Sequence, residues 1–367
     1  MTTSNSATSA SLFRLGEVVE QFTRKPPLIL GVVLQVLPVL YLIAYGKGSA
    51  AGVVTIATLA LEVITLAGGL KIGAINAPIF AVLVSACCVA AGRPLAAGAV
   101  AMAVALWASF GAASGKATFV TMPCSMMTVL VMIPPKVVHG SSVHAWRNVG
   151  AVFFYAIVAA AWGIAIGLLL RRGRKIPAIP GATWQWGLTQ GLMVGTVMAV
   201  VATVATSRHL GQGGAWLLMT VFLVFKPLTP APWQRSLNRS LGTLFGVLIA
   251  AIYLWSLPSS APTLTLLLPS ALLLVAAAQV VIANRWPYWC FVTLLTPGIV
   301  LMLASMTSTS HPVMVARNLD ALRLEYSVLG ILIALAAQGV LIGLASLFRN
   351  EESSWFGVAA RADPGGS

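Results

Sequence analysis

The sequence predicts an all-α integral membrane protein with about twelve transmembrane helices, arranged as two six-helix repeats of the same orientation. Three observations carry this. The 367 residues are 59% hydrophobic and 8% charged, against about 45–50% and about 25% in soluble domains, and the mean hydropathy is +0.93. Apolar runs of about 20 residues, the length that crosses a bilayer, recur along the chain. Matching short motifs return at near-constant offsets. With 22 Lys+Arg and 8 Asp+Glu, the chain has too few charges to coat a soluble globule, which excludes an ordinary cytosolic enzyme or a disordered chain. The net charge of +14 is scattered between apolar runs rather than gathered on one face, so no nucleic-acid partner is expected.

In chain order, residues 1–25 read as a cytoplasmic leader, in which Leu12, Leu15, Val19 and Phe22 share one face of a short interfacial helix. No secretory signal is expected there, because the first long apolar run begins only at Leu28. The first membrane half, 26–170, contains candidate spans 27–45, 49–68, 72–91, 94–113, 117–133 and 148–170. Residues 171–185 form a basic cytoplasmic linker. The second half, 186–348, contains spans 186–206, 213–226, 239–257, 263–283, 286–304 and 326–348, and 349–367 is a cytoplasmic tail. The span 213–226 is short and is closed by Lys226-Pro227.

Orientation follows from the loop cations. Twelve spans put both termini on one side, and that side collects fifteen of the 22 Lys and Arg residues, which makes it cytoplasmic. Trp146, Trp184, Trp186, Trp216, Trp255 and Trp286 fall at or near span ends, as interfacial belts require. The four histidines (His139, His144, His209, His311) fall in outer loops. The four cysteines (Cys87, Cys88, Cys124, Cys290) lie in apolar runs without paired spacing and read as buried thiols; neither a disulfide framework nor a metal site is expected.

The repeat rests on four matches. Phe119-Val120-Thr121 returns as Phe291-Val292-Thr293 after 172 positions, and Arg147-Asn148 returns as Arg317-Asn318 after 170. Gly163xxxGly167 returns as Gly339xxxGly343 after 176, and Gly73xxxAla77 as Gly242xxxGly246 after 169. An even span number gives both halves one orientation, related by an axis along the membrane normal. The glycine spacings, including Gly187, Gly191 and Gly195, read as sites of close helix packing.

Charged groups inside lipid are costly and functional by default. Glu62 is the one acidic residue well inside a predicted span. It is either a proton carrier on a translocation path or a helix-end carboxylate paired with Lys71 or Lys116. Lys226 ends the equivalent span of the second half and is positioned to attract an anion or to neutralise Glu62; a snorkelling interfacial lysine is the alternative. Aligning the two spans sets Thr220 opposite Glu62. Pro123 and Pro297 interrupt corresponding spans and free carbonyls there, so Thr121, Thr293 and Thr296 are candidate polar contacts for a substrate at the midplane. Arg317, Asp320, Arg323 and Glu325 lead into the last span, either as local salt bridges on an outer turn or as an outer gate. No catalytic motif and no Walker A sequence is present, so neither an enzyme nor a cofactor is expected, and ATP drive would need a partner.

The segment Ala215-Trp216-Leu217-Leu218-Met219-Thr220-Val221 running to Lys226-Pro227, then Arg235-Ser-Leu-Asn-Arg239-Ser-Leu-Gly242-Thr-Leu-Phe-Gly246, resembles the fusaric acid resistance protein family, within its aromatic acid exporter group. Tyr288-Trp289 through Pro297, and Arg317 to Gly330, resemble its closing helices. The resemblance covers 186–348 well and 26–170 weakly, and it marks Arg235, Arg239, Arg317, Asp320 and Arg323 as motif or gate positions. The sizeable cytosolic domain typical of such exporters is replaced here by residues 171–185. The resemblance implies proton-coupled efflux of aromatic carboxylic acids or related organic anions across a bacterial inner membrane. Its partners are the bilayer, the anion and protons, with a second copy or a periplasmic adaptor as further candidates. An organic-anion channel, similar to the plant malate channels, and a non-transporting envelope scaffold are the competing readings.

Overall fold

The structure is a computed structural model, and it describes residues 26–171, 183–225, 232–258, 266–283, 286–305 and 312–347. The expected leader helix, the core of the 171–185 linker, Lys226 and the tail lie outside the described residues. The described elements are α1 (Pro26–Ala44), α2 (Gly48–Ala90), α3 (Pro94–Gly111), a π-turn (Ala112–Lys116), α4 (Ala117–Met132), α5 (Trp146–Arg171), α6 (Trp184–Ser207), α7 (Gly211–Val224), α8 (Pro232–Trp255), α9 (Leu268–Ala283), α10 (Tyr288–Ser305) and α11 (Pro312–Leu347). Each expected span falls on one of these helices. By length and composition, seven described segments can cross a membrane: Gly48–Leu66, Gly68–Ala90, Pro94–Ser114, Trp146–Arg171, Trp184–Ser207, Leu237–Trp255 and Val313–Leu341. Val33–Ala44, Gly211–Val224 and Tyr288–Leu301 are apolar but shorter. The expected count of twelve is therefore not reached on this criterion.

Local chemistry sets several helix starts. Pro26, Pro94, Pro232 and Pro312 open helices, where the missing N–H is no loss. Thr183 caps α6 by accepting a hydrogen bond from the Trp186 N–H at 3.2 Å. Between α4 and α5, the buried Asn148 organises the loop. Its carbonyl accepts from the N–H groups of Val137 (2.8 Å) and Val138 (3.1 Å), and its amide donates to the Pro135 (3.1 Å) and Val143 (2.8 Å) carbonyls.

α2 comprises two limbs joined at Gly69 (φ 78°, ψ −176°). The packing against α5 shows that the chain reverses there. Gly163 approaches Thr58, Gly167 approaches Glu62, Arg171 reaches Thr65 and Gly69, and Gly73 then returns to Ile164. Contacts climb α5 along the first limb and descend along the second. The Arg171 guanidinium donates to the Thr65 carbonyl at 3.5 Å and so serves the frayed end of the first limb. The Gly69 backbone lies where side-chain-bearing residues are strained. Gly69→Ala is expected to cost about 1–3 kcal/mol, read as earlier thermal unfolding in detergent, whereas Gly150→Ala, where a new methyl meets nothing within 4 Å, should unfold with wild type.

Small residues position the other helices. Gly187, Gly191 and Gly195 of α6 lie against Ala113, Leu106 and Met102, with Gly98 of α3 against Ala199, so the two helices run antiparallel in close contact. Gly242 and Gly246 of α8 approach the Trp289 and Thr293 carbonyls of α10. Gly330 of α11 meets Thr220 and Leu217 of α7, and Gly213 meets Tyr326. α7 is short and apolar because it is buried all round: Gly213–Phe222 are all buried. The largest buried cluster joins residues of both halves.

Two expected repeat motifs behave differently in their two copies. Gly163 and Gly167 face backbone, whereas a Cβ at Gly339 or Gly343 would meet nothing within 4 Å. Asn148 is buried and Arg147 exposed, whereas Asn318 is exposed and Arg317 makes the bonds.

Candidate functional site

Two buried polar centres stand out among the described residues. The first is Glu62, on the first limb of α2 and 6% exposed. Gly167 brings the α5 backbone against it; a Cβ there would lie 2.7 Å from the Glu62 carbonyl. The Gln35 amide, reaching across from α1, donates to the Glu62 carboxylate. The expected helix-end pairing with Lys71 is replaced by this neutral amide, and Lys71 is exposed. The Lys116 side chain lies outside the described residues. One turn along, the buried Thr65 hydroxyl has no partner among the described residues.

The second centre lies where α7, α8, α10 and α11 meet. Arg323 of α11 is 1% exposed and Arg239 of α8 is 2% exposed. The Arg323 guanidinium sits 4.3 Å from the centroid of the Trp216 ring on α7, a cation–π contact. It also donates to the Thr296 hydroxyl of α10 at 3.4 Å. Asp320, one turn earlier on α11 and also buried, attracts Arg323, while Arg239 repels it. Arg323 thus has a like charge, Arg239, and an opposite charge, Asp320, both within electrostatic reach. Among the described residues, Nε and Nη2 of Arg239, Nε and Nη1 of Arg323, and Oδ1 of Asp320 have no hydrogen-bond partner. Buried polar atoms are normally satisfied, so this concentration marks a place with unspent capacity for an anion.

The expected outer turn leading into the last span is corrected here. α11 begins at Pro312, and Asp320 and Arg323 are buried within it rather than paired on a surface turn. Arg317 was expected to pair with Asp320. It donates instead to the Leu254 (2.9 Å) and Leu257 (3.3 Å) carbonyls at the end of α8. The helix extends because these charges are covered by protein, not lipid.

The remaining candidates divide. Thr220 is buried and its hydroxyl meets Ser327 at 3.4 Å, which puts it beside the arginine centre. Thr296 belongs to that centre directly. The Thr293 hydroxyl donates to the Trp289 carbonyl of its own helix at 2.9 Å. Pro297 leaves the Thr293 carbonyl without its helical donor, and Gly246 packs over it. Thr121 and Arg235 lie on helices, but their side chains are outside the described set, as is Lys226. No described contact joins Glu62 to the arginine centre.

Sequence reasoning missed Gln35 and misplaced Trp216. A lone amide in an apolar span was the available signal for Gln35. Trp216 was assigned to an interfacial belt but is 1% exposed, whereas Trp146, Trp184 and Trp255 are exposed at helix ends as belts require.

Residues 196–337 match the family described as fusaric acid resistance protein-like. No curated protein and no solved structure matches the chain. The matched segment runs from α6 into α11 and contains Trp216, Arg239, Thr296, Asp320 and Arg323, while Glu62 lies outside it. The arginine centre thus lies inside the segment similar to the fusaric acid resistance protein-like family, in a chain with several helices long enough to cross a bilayer.

Proposed function

We propose that the protein is a secondary transporter that exports small organic anions, aromatic carboxylates above all, in exchange for protons. The observation that carries this is the pair of buried, mutually repelling guanidiniums of Arg239 and Arg323, with the Asp320 carboxylate acting on Arg323. A charge held inside a membrane helix costs about 2.5–3.5 kcal/mol on insertion scales, and an excess cation there is stabilised by an incoming anion. Planar guanidiniums match a carboxylate fork, and the Trp216 ring offers an apolar wall. Glu62, held by a neutral amide, is the group that can take up and release the coupling proton. Lys226 attracts the anion toward the centre, and both termini face the cytoplasm of a bacterial inner membrane. Parallel packing of the first limb of α2 on α5, and of α7 on α11, supports two halves of one orientation.

Proteoliposomes test this with a built-in sign. A weak acid leaking through lipid accumulates in an alkaline interior. Antiport carries the anion toward the acidic side, so acid-interior vesicles containing the protein should take up labelled 4-hydroxybenzoate above empty vesicles. An anion channel would follow membrane voltage instead. Arg239→Gln should lower this uptake about 30-fold or more, equivalent to about 2 kcal/mol for removing one partner of a buried charge cluster, while Arg239→Lys retains part of it. Uptake by Arg239→Gln at the wild-type rate would remove the arginine centre from the path.

A further inference from the structure

α1 carries one strongly polar side chain between Pro26 and Ala44, that of Gln35. Two contacts with α5 seat the stretch of helix that presents it. One turn earlier, Gly31 lies against Leu170, where a Cβ would come within 2.9 Å of the leucine side chain. Pro38 has no N–H, so the Leu34 carbonyl lacks its helical donor. The Trp162 indole N–H supplies a donor from α5 at 2.9 Å. Gln35 is the next residue, and its amide donates to the Glu62 carboxylate. α1 is thus pinned to α5 at the position adjacent to the one that meets Glu62.

Among the described residues, Gln35 is the one side chain that acts on this carboxylate. The elements packed around the first limb of α2 carry other titratable groups, and none of them bonds to Glu62. Arg171 of α5 is bonded to the Thr65 carbonyl, and Lys47, Lys71 and Arg147 are exposed. Tyr41 of α1 and Tyr155 of α5 stack with Tyr45 and Phe154. Cys87, Cys88 and Cys124 are buried thiols, and the Lys116 side chain lies outside the described residues. The partner of Glu62 is therefore an amide, and an amide has a property that a cation lacks. Its NH2 donates to an ionised carboxylate, and its carbonyl accepts from the O–H of a protonated one. A half-turn of the amide exchanges the two. A lysine in its place would hold Glu62 as an anion, and an apolar residue would leave it unpaired in both states.

We propose that Gln35 is the positioning residue of the proton site. Its amide serves Glu62 in both protonation states, and the bond from Trp162 to the Leu34 carbonyl holds it in place to do so. This rests on the reading of Glu62 as the coupling group and adds the residues that let its proton come and go. Each transfer puts one proton on Glu62 or takes one off, and no covalent bond of the protein changes otherwise. The N–H···O⁻ bond of the ionised state becomes an O–H···O bond in the protonated state, so the buried carboxyl keeps a partner throughout.

The test uses the full chain in proteoliposomes. Uptake of 4-hydroxybenzoate is measured at a fixed pH difference while both pH values are stepped together, with counterflow in the absence of a gradient as the reference. Gln35→Leu removes a donor that favours the ionised form, so the pH of half-maximal uptake should rise by about one unit or more, with counterflow retained. Trp162→Phe removes the indole N–H and should move the midpoint the same way by less. Gln35→Lys should abolish pH-driven uptake. An amide that only ties α1 to the bundle gives another pattern: lower thermal stability and slower counterflow in Gln35→Leu, with the midpoint unchanged. That result overturns the proposal. If wild type shows no proton-driven uptake, or Glu62→Gln matches it, the coupling reading fails by itself, and infrared spectroscopy decides the pair. The carboxyl C=O band of Glu62, identified by its absence in Glu62→Gln, should change position and titration midpoint in Gln35→Leu. An unchanged band overturns the role of Gln35.

Discussion

Glu62→Gln is expected to abolish accumulation of 4-hydroxybenzoate in acid-interior vesicles, while counterflow of the anion without a pH gradient continues. The substitution preserves shape, and the new amide carbonyl can still accept the bond from Gln35. It removes only the capacity to titrate. The carboxylate it replaces is 6% exposed and partnered by a neutral group, so among the described residues its charge has no counter-ion to compensate burial. Losing that charge should therefore leave thermal stability in detergent unchanged or raised. A carboxylate that merely held the fold together would give the opposite pattern: lower stability and normal pH-driven uptake. Uptake at the wild-type rate across the gradient would end the coupling role.

Gly163→Val should leave little folded protein, whereas Gly339→Val should be close to neutral. At Gly163 a Cβ would collide with the Thr58 carbonyl oxygen and approach its Cα to 3.0 Å, and backbone cannot rotate aside as a side chain can. α5 would be forced away from the first limb of α2, loosening the contact that also sets Gly167 against Glu62. Overpacking typically costs about 1–3 kcal/mol and occasionally more; a backbone obstacle between two buried helices belongs at the upper end. At Gly339 the added side chain meets open space. Size-exclusion profiles in detergent read both outcomes. Equal behaviour of the two variants would show that the α2–α5 contact is not a tight one.

The contrast between these glycines shows what the sequence could and could not carry. Hydropathy placed the helices well, because apolar runs of bilayer length are a strong signal. It started the last span at 326 rather than Pro312 because Arg317, Asp320, Arg323 and Glu325 depress local hydropathy. Those charges belong to a helix whose inner face is covered by α7, α8 and α10, and hydropathy cannot distinguish lipid from protein as the surrounding medium. Spacing found both GxxxG motifs, but spacing states only that a surface is flat, not that a partner lies on it. The Arg-Asn pairs show the same limit: Asn148 works in one copy and Arg317 in the other. Glu62 was legible through scarcity alone, since a single deep acid among so many apolar residues needs a reason. Its partner was not, because pairing with Gln35 across 27 positions is a matter of tertiary approach. The arginine centre was legible as a set of family positions. Its chemistry, with Arg323 over Trp216 and within reach of both Arg239 and Asp320, emerged only from the packing of four helices.

The bond from Arg171 to the Thr65 carbonyl also constrains the order of synthesis. The two residues are 106 positions apart, so at about 5–20 residues per second the ribosome needs about 5–20 s to deliver the guanidinium after the carbonyl. Throughout that interval the paired limbs of α2 sit in the insertion machinery with the end of the first limb unserved by its eventual partner. The last residue of α5 is therefore also the closing latch for the end of the first limb. The nascent chain has to shelter an unfinished helical hairpin until α5 is made, and a variant that slows delivery of α5 would lengthen its exposure to membrane proteases without altering a single contact of the finished protein.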